Sequence, residues 1–142
     1  MKKINFGRLI LAGLVSGFAF IFVEIIVEGF MHFAFRISEA KIFQEAFEMR
    51  CSGVLFHVLN LGILFAICIL IMWVYATLRP RFSSRGTTAI VTSLIFWLFA
   101  FLFVANHVNL GILPPMSFIS LAFNLIELPV AVIVGSSIYR EG

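Results

Sequence analysis

Residues 54–81 read VLFHVLNLGILFAICILIMWVYATLRPR, an apolar run that stops at Arg79-Pro80-Arg81. A helix needs about 20 consecutive apolar residues to cross a bilayer, and Val54–Leu78 exceeds that. Strands of a membrane barrel would alternate polar and apolar with period two, and this run does not. In hydrocarbon a continuous run satisfies its own backbone only as a helix. The stretch therefore predicts a transmembrane helix that ends at a cluster of arginines.

Three further runs have the same character: Leu9 to Phe35, Ala89 to Leu113 and Ser117 to Tyr139. The 142-residue chain is 62% hydrophobic and 12% charged, with a mean hydropathy of +1.12. Soluble domains are about 45–50% apolar with about a quarter of their residues charged, so a water-soluble globule is excluded. The predicted fold is all-α: a four-transmembrane-helix bundle forming one integral membrane domain over residues 1–142. The opening Met1-Lys2-Lys3 before an apolar run resembles a signal peptide. The run continues past Val23 without a small-x-small cleavage site and carries Glu24 and Glu28, so an uncleaved first span is expected.

The charges set the expected orientation. All 10 Lys and Arg residues lie outside the four runs. Lys2, Lys3 and Arg8 precede the first span, Arg79, Arg81 and Arg85 join spans two and three, and Arg140 follows the fourth. The Pro114-Pro115 connection carries no charge. By the positive-inside rule both termini are expected on the cytoplasmic side. The cations flank spans rather than form a patch on a folded surface, so no nucleic-acid partner is expected. The loop from Arg36 to Arg50 falls outside. Its Ile37, Ala40, Phe43 and Phe47 recur at helical spacing behind Ser38, which predicts a short amphipathic helix at the outer interface. Cys51 and Cys68, if on one helix, are about 25 Å apart and beyond disulfide reach.

The chain also matches itself. Phe18-Ala19-Phe20-Ile21-Phe22-Val23 corresponds to Phe99-Ala100-Phe101-Leu102-Phe103-Val104, and Asn60-Leu61 to Asn124-Leu125. Tyr75 and Tyr139 each follow their Asn by 15 residues. This order predicts two repeated helical hairpins related by an axis along the membrane normal. Such symmetry would aim Glu28, Asn109, Asn60 and Asn124 at the bundle axis. Gly13 and Gly17, four residues apart, predict a close helix contact.

Polar groups gather in the outer half of the predicted spans. Glu28 lies about 10 Å and Glu24 about 16 Å below the end of span one. His57 and Asn60 sit about 6–10 Å into span two, and Asn124 and Glu127 about 10–15 Å into span four. Asn106, His107 and Asn109 close span three. Glu24, Glu28 and His32 form one stripe at helical spacing, and Pro129 is expected to bend span four just past Glu127. Three carboxylates in low dielectric without a Lys or Arg on any span must be protonated, paired with protonated His, or neutralised by a bound cation. Carboxylate, imidazole and amide oxygen are also ligands of divalent metals. The candidate metal or cation ligands are Glu24, Glu28, His57, His107 and Glu127, supported by His32, Asn60, Asn106, Asn109 and Asn124.

No His-Glu-x-x-His, Cys-x-x-Cys, phosphate loop or nucleophile elbow is present, so no catalytic residues are assigned and a non-enzymatic role is favoured. A haem between His57 and His107 is not expected from two histidines alone. Trp73-Val74-Tyr75-Ala76-Thr77-Leu78-Arg79-Pro80-Arg81-Phe82, followed by Gly86-Thr87-Thr88-Ala89, resembles a group of small bacterial four-span membrane proteins of unassigned function. Ala12-Gly13-Leu14-Val15-Ser16-Gly17 and Tyr139-Arg140-Glu141 extend the likeness across the chain. The resemblance implies a multi-pass protein of the bacterial inner membrane and says nothing of activity. The leading expectation is a membrane protein whose outer-half cluster binds a cation, either a metal ion or a proton, alone or as an accessory subunit. The alternatives are a structural or assembly subunit, a membrane-embedded metalloenzyme, and a small cation exporter. The bilayer is the expected environment, with a membrane-protein partner or a second copy as candidate company.

Overall fold

The computed structural model describes residues 5–36 and 54–139. The helix expected between Ser38 and Phe47 lies outside these residues. The described chain is helical without strands: α1 (Phe6–Phe35), α2 (Val54–Leu78), a 3-10 turn (Arg79–Arg81), α3 (Arg85–Asn109) and α4 (Ser117–Ile138). All four α-helices are long and apolar enough to span a membrane.

Local chemistry sets each boundary. The Asn5 side chain accepts from the Arg8 amide at 3.1 Å and caps α1, satisfying one of the amides that a helix start leaves without a partner. Arg36 closes the same helix in the left-handed region at φ 54°. Pro80 has no amide to donate and the chain tightens into the 3-10 turn, where the Arg79 guanidinium donates to the Phe82 carbonyl at 2.8 Å. The Ser84 hydroxyl then caps α3 by accepting from the Thr87 amide at 3.0 Å. That cap starts α3 four residues before the expected Ala89, on the polar stretch Gly86-Thr87-Thr88. Gly111, at φ 72°, turns the chain after Asn109, ending α3 before the expected Leu113.

The helices pack in a ring. α4 runs along α1 and α3 over most of its length, α2 lies mainly against α1, and the α2–α3 seam is slight. Two glycine contacts make the α1–α2 seam close. A Cβ on Gly13 would fall 2.6 Å from the Ile69 Cα, and one on Gly17 would fall 2.5 Å from the Phe65 ring. On the other side of α1, a Cβ on Gly135 of α4 would lie 2.8 Å from the Ala12 carbonyl oxygen. Ala12, Gly13, Ser16 and Gly17 thus form a small-residue face with a backbone on each flank, the packing mode favoured where lipid supplies no hydrophobic drive.

The core lies toward the arginine end. Leu9, Ala12, Met72, Tyr75, Ala89, Val132 and Tyr139 form one buried cluster. Toward the opposite, proline end the ring loosens: from His57 to Ile63 every α2 residue is exposed.

Candidate functional site

The contacts between helices define which residues share a depth. Gly13 faces Ile69 and Gly17 faces Phe65. Continuing this antiparallel register along α1 brings Ile25 level with His57. Phe30 of α1 meets Phe123 of α4 with ring centroids 6.1 Å apart, and one turn along the same seam Ile26 is level with Glu127. Glu24 and Glu28 flank that level on α1. Four ionisable residues from three helices therefore share one helical turn of depth: Glu24, Glu28, His57 and Glu127.

They differ in facing. Glu127 is 4% exposed, buried where α4 runs between α1 and α3. Glu24 and Glu28 are half-buried, one turn apart, and repel when both are ionised. His57 is exposed on α2. The same loosening leaves Asn60 exposed rather than on the bundle axis; Asn109, in the last position of α3, is exposed too. His32 and Asn106 are exposed as well, while Asn124 is half-buried.

His107 stands apart. Trp97 and Phe101 of α3 pack beside Leu121 and Phe118 of α4, the indole Nε1 donating to the Leu121 carbonyl at 2.9 Å. In that register His107 lies beyond the start of α4, about 20 Å along the bundle from Glu127. Its Nδ1 is 2.8 Å from the Phe103 carbonyl oxygen, which selects the tautomer protonated at Nδ1. Its ring packs on Phe103 with centroids 4.0 Å apart. Among the described residues no group of three or more His, Cys, Asp or Glu side chains is placed to hold a metal ion. The carboxylates share a depth without forming a metal-ligand cage.

A feature the sequence reading did not single out lies between α3 and α4. A cleft of about 200 Å³ is lined by Phe103, Val104, Ser117, Ser120, Leu121 and Asn124 among others. Ser117 and Ser120 are 2% and 4% exposed, and neither hydroxyl finds a hydrogen-bond partner. Ser16, packed against Gly135, likewise finds no partner, whereas three other buried hydroxyls bond backward to their own helix. Thr92 donates to the Thr88 carbonyl, Ser93 to Ala89 and Ser136 to Ile133, each at 2.8 Å. The sequence signal was available: Ser117, Ser120, Asn124 and Glu127 recur at spacings of three and four on one face of α4.

Compared with known proteins, the chain matches no known family, no curated protein and no solved structure.

Proposed function

We propose that the chain is a multi-pass protein of the bacterial inner membrane, both termini cytoplasmic, that holds a proton on an intramembrane carboxylate group of Glu127, Glu24 and Glu28. One observation carries the reading: Glu127 is buried at 4% exposure, at the depth that the helix register gives Glu24 and Glu28 on α1. No Lys or Arg occurs from Leu9 to Phe35, in α2, or from Gly86 to Tyr139. Ionised carboxylates in such surroundings are strongly disfavoured, and a bound proton is the simplest way to remove the charge. The lack of a three-ligand group among the described residues favours a proton over a divalent metal.

The orientation rests on Arg8 and the Arg79–Arg85 turn, which the antiparallel helices bring to the same end. The two hairpins are read as copies of one unit. In support, the equivalent Tyr75 and Tyr139 meet edge to face with centroids 6.3 Å apart at the arginine end. The equivalent Phe18 and Phe99 are 65% and 67% exposed.

The test is infrared spectroscopy of the protein in lipid nanodiscs at neutral pH. A protonated carboxylic acid band is expected, and Glu127→Gln is expected to remove or shift it. A carbodiimide, which attacks protonated carboxyls in apolar surroundings, is expected to label Glu127. A spectrum without such a band would overturn the reading. Near-stoichiometric metal on the purified chain, lost in Glu28→Gln, would replace the proton with a metal ion.

A second reading is favoured by one observation. The exposed stretch from His57 to Ile63 presents the Asn60 amide among apolar side chains. Polar groups there call for a neighbouring helix, which fits an assembly or accessory subunit. Co-purification of a partner helix that is lost with Asn60→Leu would support it.

A further inference from the structure

Resting on the proton-holding reading of Glu127, we propose that the α3–α4 cleft is a water-filled access route that connects the proline end of the bundle to Glu127, while the arginine end is sealed. Ser117, Ser120, Asn124 and Glu127 follow one another at helical spacing on one face of α4, leading from the first turn of the helix to the buried carboxyl. The first three line a cleft of about 200 Å³. That is room for several waters, and Ser117, Ser120 and Asn124 supply polar partners in a lining otherwise made of apolar side chains.

The two serine hydroxyls argue most directly for water. A buried hydroxyl without a partner is unfavourable. Thr92, Ser93 and Ser136 avoid that by donating to a carbonyl of their own helix. Ser16, Ser117 and Ser120 do not; Ser16 is packed against Gly135, while Ser117 and Ser120, both nine-tenths or more buried, line the cleft. Water in the cleft would satisfy both, together with the Asn124 amide. A chain of such waters passes a proton from oxygen to oxygen, each O–H bond that breaks matched by one that forms, the last of them at the Glu127 carboxyl.

Below Glu127 the same helix offers no comparable path among the described residues. Ala131, Val132, Gly135 and Ser136 are buried. Gly135 lies against the Ala12 carbonyl and the Met72 sulfur with no room for a single added carbon. Tyr75 and Tyr139 close the arginine end ring to ring. The carboxyl therefore exchanges its proton with one side of the membrane.

Single cysteines test this in a Cys51→Ser, Cys68→Ala background. Ser120→Cys and Asn124→Cys are placed in nanodiscs, which leave both faces open, and treated with a charged, water-soluble methanethiosulfonate. The thiolate is the reacting form and needs water, so both variants are expected to react at rates close to an exposed Met116→Cys control. Ser136→Cys, buried toward the arginine end, is expected to react about 100-fold more slowly. No reaction at either cleft position, with the Met116→Cys control reactive, would overturn the route. Adding Glu127→Gln to the cleft variants is expected to leave their thiol reactivity in place. The route thus stands or falls separately from the proton on Glu127. The connection is read from the carboxyl band after transfer to heavy water. Ser120→Val, which fills the cleft and removes a hydroxyl, is expected to slow its shift about tenfold if water carries the exchange. An unchanged exchange rate would sever the cleft from Glu127.

Discussion

Ser84 shows how one side chain positions a whole span. Its hydroxyl accepts from the Thr87 amide at 3.0 Å and also meets the Thr87 hydroxyl at 2.7 Å. The Ser84 carbonyl in turn takes the Thr88 hydroxyl at 2.9 Å. With this cap the helix begins at Arg85, in polar sequence that hydropathy alone assigns to a loop. Replacing Ser84 with Ala is expected to destabilise the start of α3 by about 1 kcal/mol, since the helix loses a cap and leaves an amide without its partner. Thermal unfolding in detergent with hydrogen exchange at Thr87 and Thr88 checks this, and Ser84→Asp, which can still cap, is expected to restore protection. At the same scale, the three membrane glutamates were legible from sequence because ionisable residues stand out in apolar runs. Their inequality was not. Nothing in the local pattern says that Glu127 is buried at 4% exposure while Glu24 and Glu28 are only half-buried. That depends on which helix each residue faces.

Small residues govern how closely the elements approach. Gly13 and Gly17 were legible as a contact face from their spacing, but their partners Ile69 and Phe65 were not, because spacing on one helix carries no information about the register of the next. The two glycines also differ in kind. A methyl on Gly13 meets backbone at 2.6 Å, whereas on Gly17 it meets a ring that can rotate aside. Gly13→Ala is therefore expected to destabilise the bundle by roughly 1–3 kcal/mol, and Gly17→Ala by less. Gly62→Ala serves as the control, since nothing lies within 4 Å of its added carbon and no loss of stability is expected. Unfolding midpoints of the three variants in mixed micelles give the order directly. A Gly62→Ala as damaging as Gly13→Ala would show that α2 is packed along its whole length.

Across the whole molecule, the packing is uneven from end to end. The buried cluster of Leu9, Ala12, Met72, Tyr75, Ala89, Val132 and Tyr139 gathers at the arginine end, while α2 from His57 to Ile63 is exposed all round. Opening energies follow the density of buried contacts. Hydrogen exchange in nanodiscs is thus expected to be slowest at residues 68–76 and 131–136 and faster at residues 57–63. Uniform protection along α2 would indicate that a neighbouring helix covers its exposed half. The same unevenness underlies the proposed route: the tight end seals, and the loose end admits water.

By itself the sequence determined the number of spans described here, their helical character and their approximate ends. Each of these follows from a run length, a period or a cap, and all three are local. It also determined that carboxylates would lie within the apolar helices. Only the tertiary structure decided that Glu24, Glu28 and Glu127 share one level, that His107 lies about 20 Å from Glu127, and that the α4 serines line a cleft rather than a packed seam. Those outcomes depend on interhelical register, which is fixed by where glycine, alanine and serine let two backbones approach, and no single helix contains that information.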